Sequence, residues 1–366
     1  VKCVPSPQAT SALDDLFIVT SCRVPTFVPQ HDHASSGITP PSSAPINILL
    51  RDGEPLALLN LNRSTRRSNV HLRVACAIAA VMAVATDALG DDDGRYLQLT
   101  PLGSYQHGSF DAGAAEIVAY DAATRRLAVV NGERRGIDIL DIRDPLNLRL
   151  VNRIDLSQYG HRPNSVALHD GTMAVAVAAE PHYLPGKVVF FNIEGNFLGD
   201  VAVDAQRDSV TLTPDGKRLL VANEGEPSED YTHDPEGSVS VIDIASGAVN
   251  ITPKQVHTIS FAKIAPDSLD PSIRIFGPRA TVAQDLEPEF IAVSPDSSMA
   301  YVTLQENNAM AILDLQSLRV ERLIGLGFKD HSAAGAAMDA SDRSRSINIR
   351  SWPVKGMYQP DSVAAY

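Results

Sequence analysis

Cysteine and basic residues are scarce in this sequence of 366 residues. All the cysteines (Cys3, Cys22 and Cys76) lie near the N-terminus, so the rest of the chain offers no disulfide, thiolate metal site or c-type haem attachment. Neither haem nor nucleotide is indicated as a cofactor. Lys and Arg number 31 against 44 Asp and Glu, for a formal charge of -13. This acidity argues against a nucleic-acid partner or an anionic membrane surface, and it fits cations or positively charged partners.

A basic segment followed by an apolar run at residues 66–88 predicts a signal peptide. Arginines precede the apolar stretch from Val74 to Ala85, and small residues suited to cleavage end it. The run is shorter than the about 20 apolar residues of a membrane-spanning helix, so we expect cleavage and no transmembrane segment in the mature part. A buried amphipathic helix is the alternative. The expected location is therefore secreted, periplasmic or cell surface.

Residues 1–65 precede the segment with which an exported protein should begin. They are rich in Pro and Ser, as in HDHASSGITPPSSAP at 31–45, and they show little periodicity. The simplest explanation is a start codon assigned too far upstream, which makes 1–65 a non-native leader; a disordered leader is the alternative. We expect the fold to be confined to residues 89–366.

A strand pattern recurs from Glu116 onward: an apolar strand, a tight turn, a second apolar strand, a polar loop and a third strand. The third strands close on Asp or Asn, 51, 51 and 71 residues apart, at Asp141, Asn192, Asp243 and Asp314. A unit of three or four antiparallel strands at this period is typical of a β-propeller blade. We predict an all-β propeller with about four blades and the start of a fifth, an incomplete ring that implies C-terminal truncation. An open sandwich is the alternative.

Six carboxylates crowd the loop between two of these strands, in VANEGEPSEDYTHDPEGSVSVIDI at 221–244. They are Glu224, Glu226, Glu229, Asp230, Asp234 and Glu236. Like charges at short range repel one another, so such a cluster requires screening by water, partial protonation or a neutralising cation.

Strand direction assigns the acidic loop to one face of the propeller. Because neighbouring strands run antiparallel, the starts of first strands and the loops between second and third strands meet on the same face. Hard oxygen ligands in a concave site suit calcium; carboxylates that are merely solvated are the alternative. The predicted metal ligands are Glu116, Asp208, Glu224, Glu226, Glu289 and Asp361, and the predicted ligand-binding residues are Asn164, Arg162 and Glu306.

Several runs resemble a known family. They include GSYQHGSFDAGAAEIVAYDAATRRLAVVN (103–131), LTPDGKRLLVANEGEPSEDYTHDPEGSVSVIDI (212–244) and LEPEFIAVSPDSSMAYVTLQENNAMAILDL (286–315). The chain is similar over 103–366 to the exported bacterial choice-of-anchor I proteins, which are akin to mesenchyme-specific cell-surface glycoproteins. The resemblance implies a propeller of the YVTN or quinoprotein-like kind that is extracellular or attached to the cell surface.

Two functions follow as hypotheses. The first is a non-catalytic module that binds an extracellular protein or small molecule on its acidic face, with calcium as the candidate cation; no recognisable nucleophile or redox motif speaks for an enzyme. The alternative is a calcium-dependent phosphoester hydrolase of the alkaline phosphatase or phytase sort, in which metal ions position phosphate and activate water. Such a hydrolase needs several metals and cationic groups.

Overall fold

The computed structural model describes three short strands near the N-terminus, and then residues 102–107, 114–205, 207–341, 343 and 345–366. The short strands are β1 (Leu16–Thr20), β2 (Ile46–Ile48) and β3 (Ala57–Leu59), of which β2 and β3 pair antiparallel. The predicted signal peptide at 66–88 lies outside the described residues. It stays a prediction, as does the interpretation of residues 1–65 as a leader.

Each of the four repeats folds into one four-stranded antiparallel sheet whose strands pair in chain order. Blade one consists of β4 (Val118–Asp121), β5 (Arg126–Asn131), β6 (Gly136–Asp141) and β7 (Arg149–Asp155). Blade two consists of β8 (Arg162–His169), β9 (Thr172–Ala178), β10 (Pro185–Asn192) and β11 (Phe197–Ala205).

The second pair of blades repeats this order. Blade three consists of β12 (Arg207–Leu212), β13 (Arg218–Asn223), β14 (Ser238–Asp243) and β15 (Val256–Ser260). Blade four consists of β16 (Pro288–Val293), β17 (Met299–Leu304), β18 (Ala309–Asp314) and β19 (Arg319–Gly325). After it come β20 (Lys329–Asp330), β21 (Lys355–Gly356) and β22 (Pro360–Ala365).

The first strands of successive blades lie side by side: β4 contacts β8, β8 contacts β12, β12 contacts β16 and β16 contacts β22. This arrangement, in which each sheet presents its first strand to a common axis, is that of a β-propeller, so the predicted all-β class and blade architecture are confirmed. The part of the chain that the structure describes contains four complete blades. Strand β22 begins a fifth unit and pairs with β1, and the ring is not closed.

The hydrophobic core lies between blades rather than inside any one sheet. Each layer joins the facing sides of two neighbouring sheets, as where Val130 and Ile139 of blade one meet Val175 and Val189 of blade two. Phe190 lies in the layer between blades two and three and is fully buried. Middle strands are therefore covered on both faces, whereas outer strands such as β7 are covered on one.

Helical structure in the described residues is confined to short turns. They are two 3-10 turns at Pro253–Gln255 and Pro266–Ser268, and one helix, α1 (Val282–Asp285), immediately before blade four. The side chain of Thr281 caps α1 by accepting a hydrogen bond from the backbone N–H of Gln284, at 3.2 Å. None of the helices in the described residues has the length and apolar character to cross a membrane.

Candidate metal centre

Three glutamates from two neighbouring blades bring their carboxylates together. One oxygen of each of Glu224, Glu287 and Glu306 lies within 4.8 Å of the others. Glu224 directly follows β13, Glu287 directly precedes β16, and Glu306 lies just after β17. Glu224 and Glu306 thus lie in loops between second and third strands, and Glu287 lies at the start of a first strand. The structure places Glu224 and Glu306 on the face of the propeller that strand direction predicts for them.

Two glycines allow the acidic loop to approach blade four. Gly225 has φ +71°, a left-handed conformation that glycine adopts without strain. Gly237 sits so close to blade four that a Cβ at this position would lie 1.9 Å from the carbonyl oxygen of Leu286. Its backbone N–H donates to the Ala283 carbonyl at 2.8 Å. Glycine at 237 therefore lets Glu224 lie beside Glu287.

Asn307 fixes the other side of the cluster. Its side chain is fully buried and its amide oxygen accepts a hydrogen bond from the backbone N–H of Glu287, at 3.1 Å. Its amide nitrogen donates to the carbonyls of Arg274 and Asp285, at 2.9 and 2.5 Å. Because Asn307 is next to Glu306 in sequence, these bonds hold the β17–β18 loop against the residues that precede β16.

Glu287 is the most buried of the three glutamates, and other carboxylates surround it. Its residue surface is only 7% exposed, and none of the described residues donates a hydrogen bond to its carboxylate. Burial raises the pKa of Glu287 to about 8, and the charges of Glu306 and Glu226 add to the shift. The Glu287 carboxylate therefore lacks a hydrogen-bond donor that would neutralise its charge in the part of the chain that the structure describes.

The remaining acids of the loop behave differently. Asp230 accepts hydrogen bonds from the side chain and backbone of Thr232 and from the Ser228 hydroxyl, which lower its pKa to about 2. It thus stabilises a turn. Burial, and then the charge of Asp285, raises the pKa of Asp234. The other three acids, Glu226, Glu229 and Glu236, are exposed.

Among the predicted metal ligands whose side chains the structure describes, Glu116, Glu226, Glu289 and Asp361 do not join the three-carboxylate group. Glu116 is half-buried at the entrance to β4, and Glu289 is buried within β16. Asp361, in β22, accepts a hydrogen bond from the Gln305 side chain at 3.1 Å. Asp208 belongs to β12, and its side chain lies outside the described residues. Glu226 acts on the group electrostatically, through Glu287.

The predicted ligand-binding residues separate into two places. Glu306 joins the carboxylate group, although it was expected to contact a ligand rather than a metal. Arg162 and Asn164 lie together at the start of β8, where the Arg162 Nε donates to the Asn164 side-chain oxygen at 3.2 Å. The first strand of blade two begins at this pair, which therefore lies on the same face as the acidic loop.

Sequence reasoning missed Glu287, which is the most perturbed acid of the group. A signal was present: Asp285, Glu287 and Glu289 alternate in QDLEPEF just before an apolar strand. In extended backbone, alternate side chains point to the same side, so Glu287 and Glu289 both qualified as first-strand acids. The prediction took only the residue nearer the apolar run.

The geometry suits a hard divalent cation. Calcium binds oxygen ligands at about 2.3–2.6 Å, so two ligands of one ion lie at most about 5 Å apart. The carboxylate oxygens of the group, all within 4.8 Å of one another, meet this condition without rearrangement of the backbone. Three carboxylates supply fewer oxygens than the six to eight that calcium takes, even when some bind through both oxygens, so water or a ligand would complete the shell.

Most of the chain matches the model of a known protein family. The model of the choice-of-anchor I domain matches residues 116–366. This chain belongs to the choice-of-anchor I domain family. The match begins at the residue where the strand pattern first appears and covers all four blades and β22. A search for sequence relatives among curated proteins finds no match.

Solved structures give distant similarities only. Hydrazine synthase of Kuenenia stuttgartiensis is 15% identical with a TM-score of 0.37, and the match covers 66% of this chain and 84% of that one. A functionally unknown protein from Desulfotomaculum acetoxidans DSM 771 is 10% identical, with a TM-score of 0.40 and 58% of each chain covered. A chain of a nidogen/laminin complex is 9% identical, with a TM-score of 0.39 and 69% of each chain covered. Similarities this distant say nothing about ligand or activity.

Proposed function

We propose that this choice-of-anchor I domain is an exported binding module whose acidic face binds calcium through Glu224, Glu287 and Glu306. The observation that carries the proposal is the Glu287 carboxylate, which is 7% exposed, faces two other carboxylates and accepts no hydrogen bond from the described residues. Burial of an ionised carboxylate without a partner is strongly unfavourable. A bound cation supplies that partner.

Crowded carboxylates are tolerated through screening by water, protonation or a bound cation. Glu287 and Glu224 are only 7% and 8% exposed, and this burial argues against screening by water. Protonation of Glu287 is available below about pH 8, where its pKa lies. A cation competes with that proton and neutralises the whole group at once. Calcium is favoured over magnesium because magnesium dehydrates reluctantly and requires a stricter octahedron.

The partner or small-molecule ligand is proposed to bind on the same face, where the exposed loop acids surround the cation. Open coordination positions on calcium can be filled by oxygen atoms of a ligand as well as by water. A secreted, periplasmic or cell-surface location rests on the predicted signal peptide and on membership of the family. The phosphoester hydrolase hypothesis gains no support from the comparisons, and we do not propose it.

Calorimetric titration of calcium into the full chain tests the proposal. We expect saturable binding to the wild-type protein and a loss of at least about tenfold in affinity for Glu287→Gln, because one of three charged ligands becomes neutral. Glu224→Gln should have a similar effect. Magnesium should bind more weakly than calcium.

Glu229→Gln is the matched control, since Glu229 is an exposed acid of the same loop outside the cluster. It removes the same charge and should leave calcium affinity nearly unchanged. Two results would overturn the proposal: no calcium binding to the wild-type protein at millimolar concentration, or equal losses for Glu229→Gln and Glu287→Gln. Equal losses would show that calcium responds only to the net charge of the face.

A further inference from the structure

Three arginines converge on one buried carboxylate in blade one. Asp141, at the end of β6, is 3% exposed. Its oxygens lie 3.0 Å from Nη1 of Arg126, 2.6 Å from Nη2 of Arg143 and 3.4 Å from Nη2 of Arg149. Arg126 and Arg149 are the cross-strand neighbours of Asp141 on β5 and β7, and Arg143 follows two residues after it.

The guanidinium groups outnumber the single carboxylate with which they form ion pairs. Hydrogen bonds from the side chain and then the backbone of Arg143 hold the pKa of Asp141 far below its ordinary value, so this carboxylate stays ionised. One negative charge therefore faces three guanidinium groups. Two further acids lie nearby: Asp144 lines the cavity described below, and Asp121 is the cross-strand neighbour of Arg126. Among the described residues neither forms an ion pair with the three arginines, and Asp121 instead accepts hydrogen bonds from Thr124 and from the backbone N–H of Gly171.

The other blades serve as internal comparisons because the same positions recur in each. The residue that closes the third strand is Asn192 in blade two, Asp243 in blade three and Asp314 in blade four. Two residues later, the place of Arg143 is taken by Glu194, Ala245 and Gln316. Blade three keeps one equivalent arginine, Arg218, and blade four keeps another, Arg319. Among the described blades, only blade one combines all three.

A cavity of about 350 Å³ opens beside the cluster, lined by Asp141, Arg143, Asp144, Asn147 and Arg149. This volume is at the small end for ligand sites. Side chains of Arg143 and Arg149 are 60% and 64% exposed, so their remaining N–H donors reach solvent in the cavity. The end of β6 lies on the face opposite the three glutamates, because β6 runs away from the second-to-third loop.

We propose that this arginine cluster binds a small oxyanion of the phosphate or sulfate type. Guanidinium groups present paired N–H donors that match such oxygens, and charge-assisted hydrogen bonds of this kind are the stronger ones. Asp141 holds the three side chains in a preorganised array, while Arg143 and Arg149 contact the anion. The proposal is independent of calcium binding on the other face.

Titration calorimetry with sodium phosphate and with sodium sulfate, at constant ionic strength, tests the site on the full chain. We expect saturable binding to the wild-type protein. Arg149→Gln should lower the affinity at least about tenfold, because it removes one charge-assisted hydrogen bond to the anion. Arg319→Gln is the matched control, because Arg319 faces Asp314 in blade four as Arg149 faces Asp141 in blade one. It should retain wild-type affinity.

Asp141→Asn distinguishes a binding site from an ion-pair network that serves only the fold. Removal of the carboxylate leaves three guanidinium groups to repel one another, so the variant should melt at a lower temperature than the wild type. If the cluster binds oxyanions, phosphate should raise the melting temperature of this variant more than that of the wild type. Absence of saturable anion binding, equal losses for Arg149→Gln and Arg319→Gln, or no additional rescue of Asp141→Asn would each overturn the proposal.

A last arm of the experiment distinguishes the source of the anion. A phosphorylated monosaccharide and a sulfated oligosaccharide are titrated beside the inorganic ions. Tighter binding of either would identify the oxyanion as a group carried on a larger molecule. Equal or weaker binding would identify a free ion, which fits the small volume of the cavity.

Discussion

Replacement of Glu287 by Gln should change how the stability of the metal-free protein depends on pH. In the folded protein the pKa of this carboxyl is raised from 4.5 to about 8, chiefly by burial. The folded state therefore binds the proton more tightly than the unfolded chain does between these two values. It follows that this group stabilises the fold fully below about pH 4.5, and that the stabilisation is lost as pH rises to 8.

The size of the effect follows from the shift. One pH unit corresponds to ~1.4 kcal/mol for one proton, so a rise in pKa from 4.5 to about 8 gives roughly 3–5 kcal/mol. Gln keeps the shape of the side chain and is neutral at every pH. The free energy of unfolding of the variant should thus equal that of the wild type near pH 4.5. Above pH 8 it should be several kcal/mol larger than that of the wild type, provided that no cation is bound.

Urea unfolding in the presence of a chelator, repeated between pH 4.5 and 9, measures this difference directly. The other titrating groups are common to both proteins, so their contributions largely cancel in the comparison. Glu229→Gln, on the exposed part of the loop, should show no such pH-dependent difference from the wild type. The reasoning would be refuted if the difference in unfolding free energy between the wild type and Glu287→Gln did not change with pH. Such a result would mean that the pKa of Glu287 is not raised by folding.

Three further predictions concern the residues that hold the site and the core. Gly237→Ala should destabilise the protein and weaken calcium binding, since the new methyl group would lie 1.9 Å from the Leu286 carbonyl oxygen; thermal melting and calorimetry measure the two effects. Asn307→Ala should cost about 2–3 kcal/mol in urea unfolding, because the buried N–H of Glu287 loses its acceptor. Phe190→Ala should cost about 3–5 kcal/mol by cavity formation between blades two and three, without a change in calcium affinity. An unchanged melting temperature for any of the three would contradict the packing described.

The sequence was sufficient to predict the blades because each blade repeats the same local pattern. Apolar second and third strands, such as β9 and β10, are buried on both faces and are therefore continuous runs that stand out from their loops. The fourth strands were not located. Strand β7, with the sequence RLVNRID, is mostly exposed and has no run of apolar residues to reveal it. Its position is decided by pairing with β6, a contact between residues of the same sheet.

The sequence also determined on which face the acids lie, because strand direction in an antiparallel blade fixes which ends meet. It could not determine which acids touch. Glu224 and Glu287 are 63 residues apart, and they meet because blades three and four pack through a shared hydrophobic layer. The close approach at Gly237 and the buried bonds of Asn307 then set their separation. Such contacts depend on the relative placement of two sheets, which no local pattern encodes, and so only the tertiary structure decided the site.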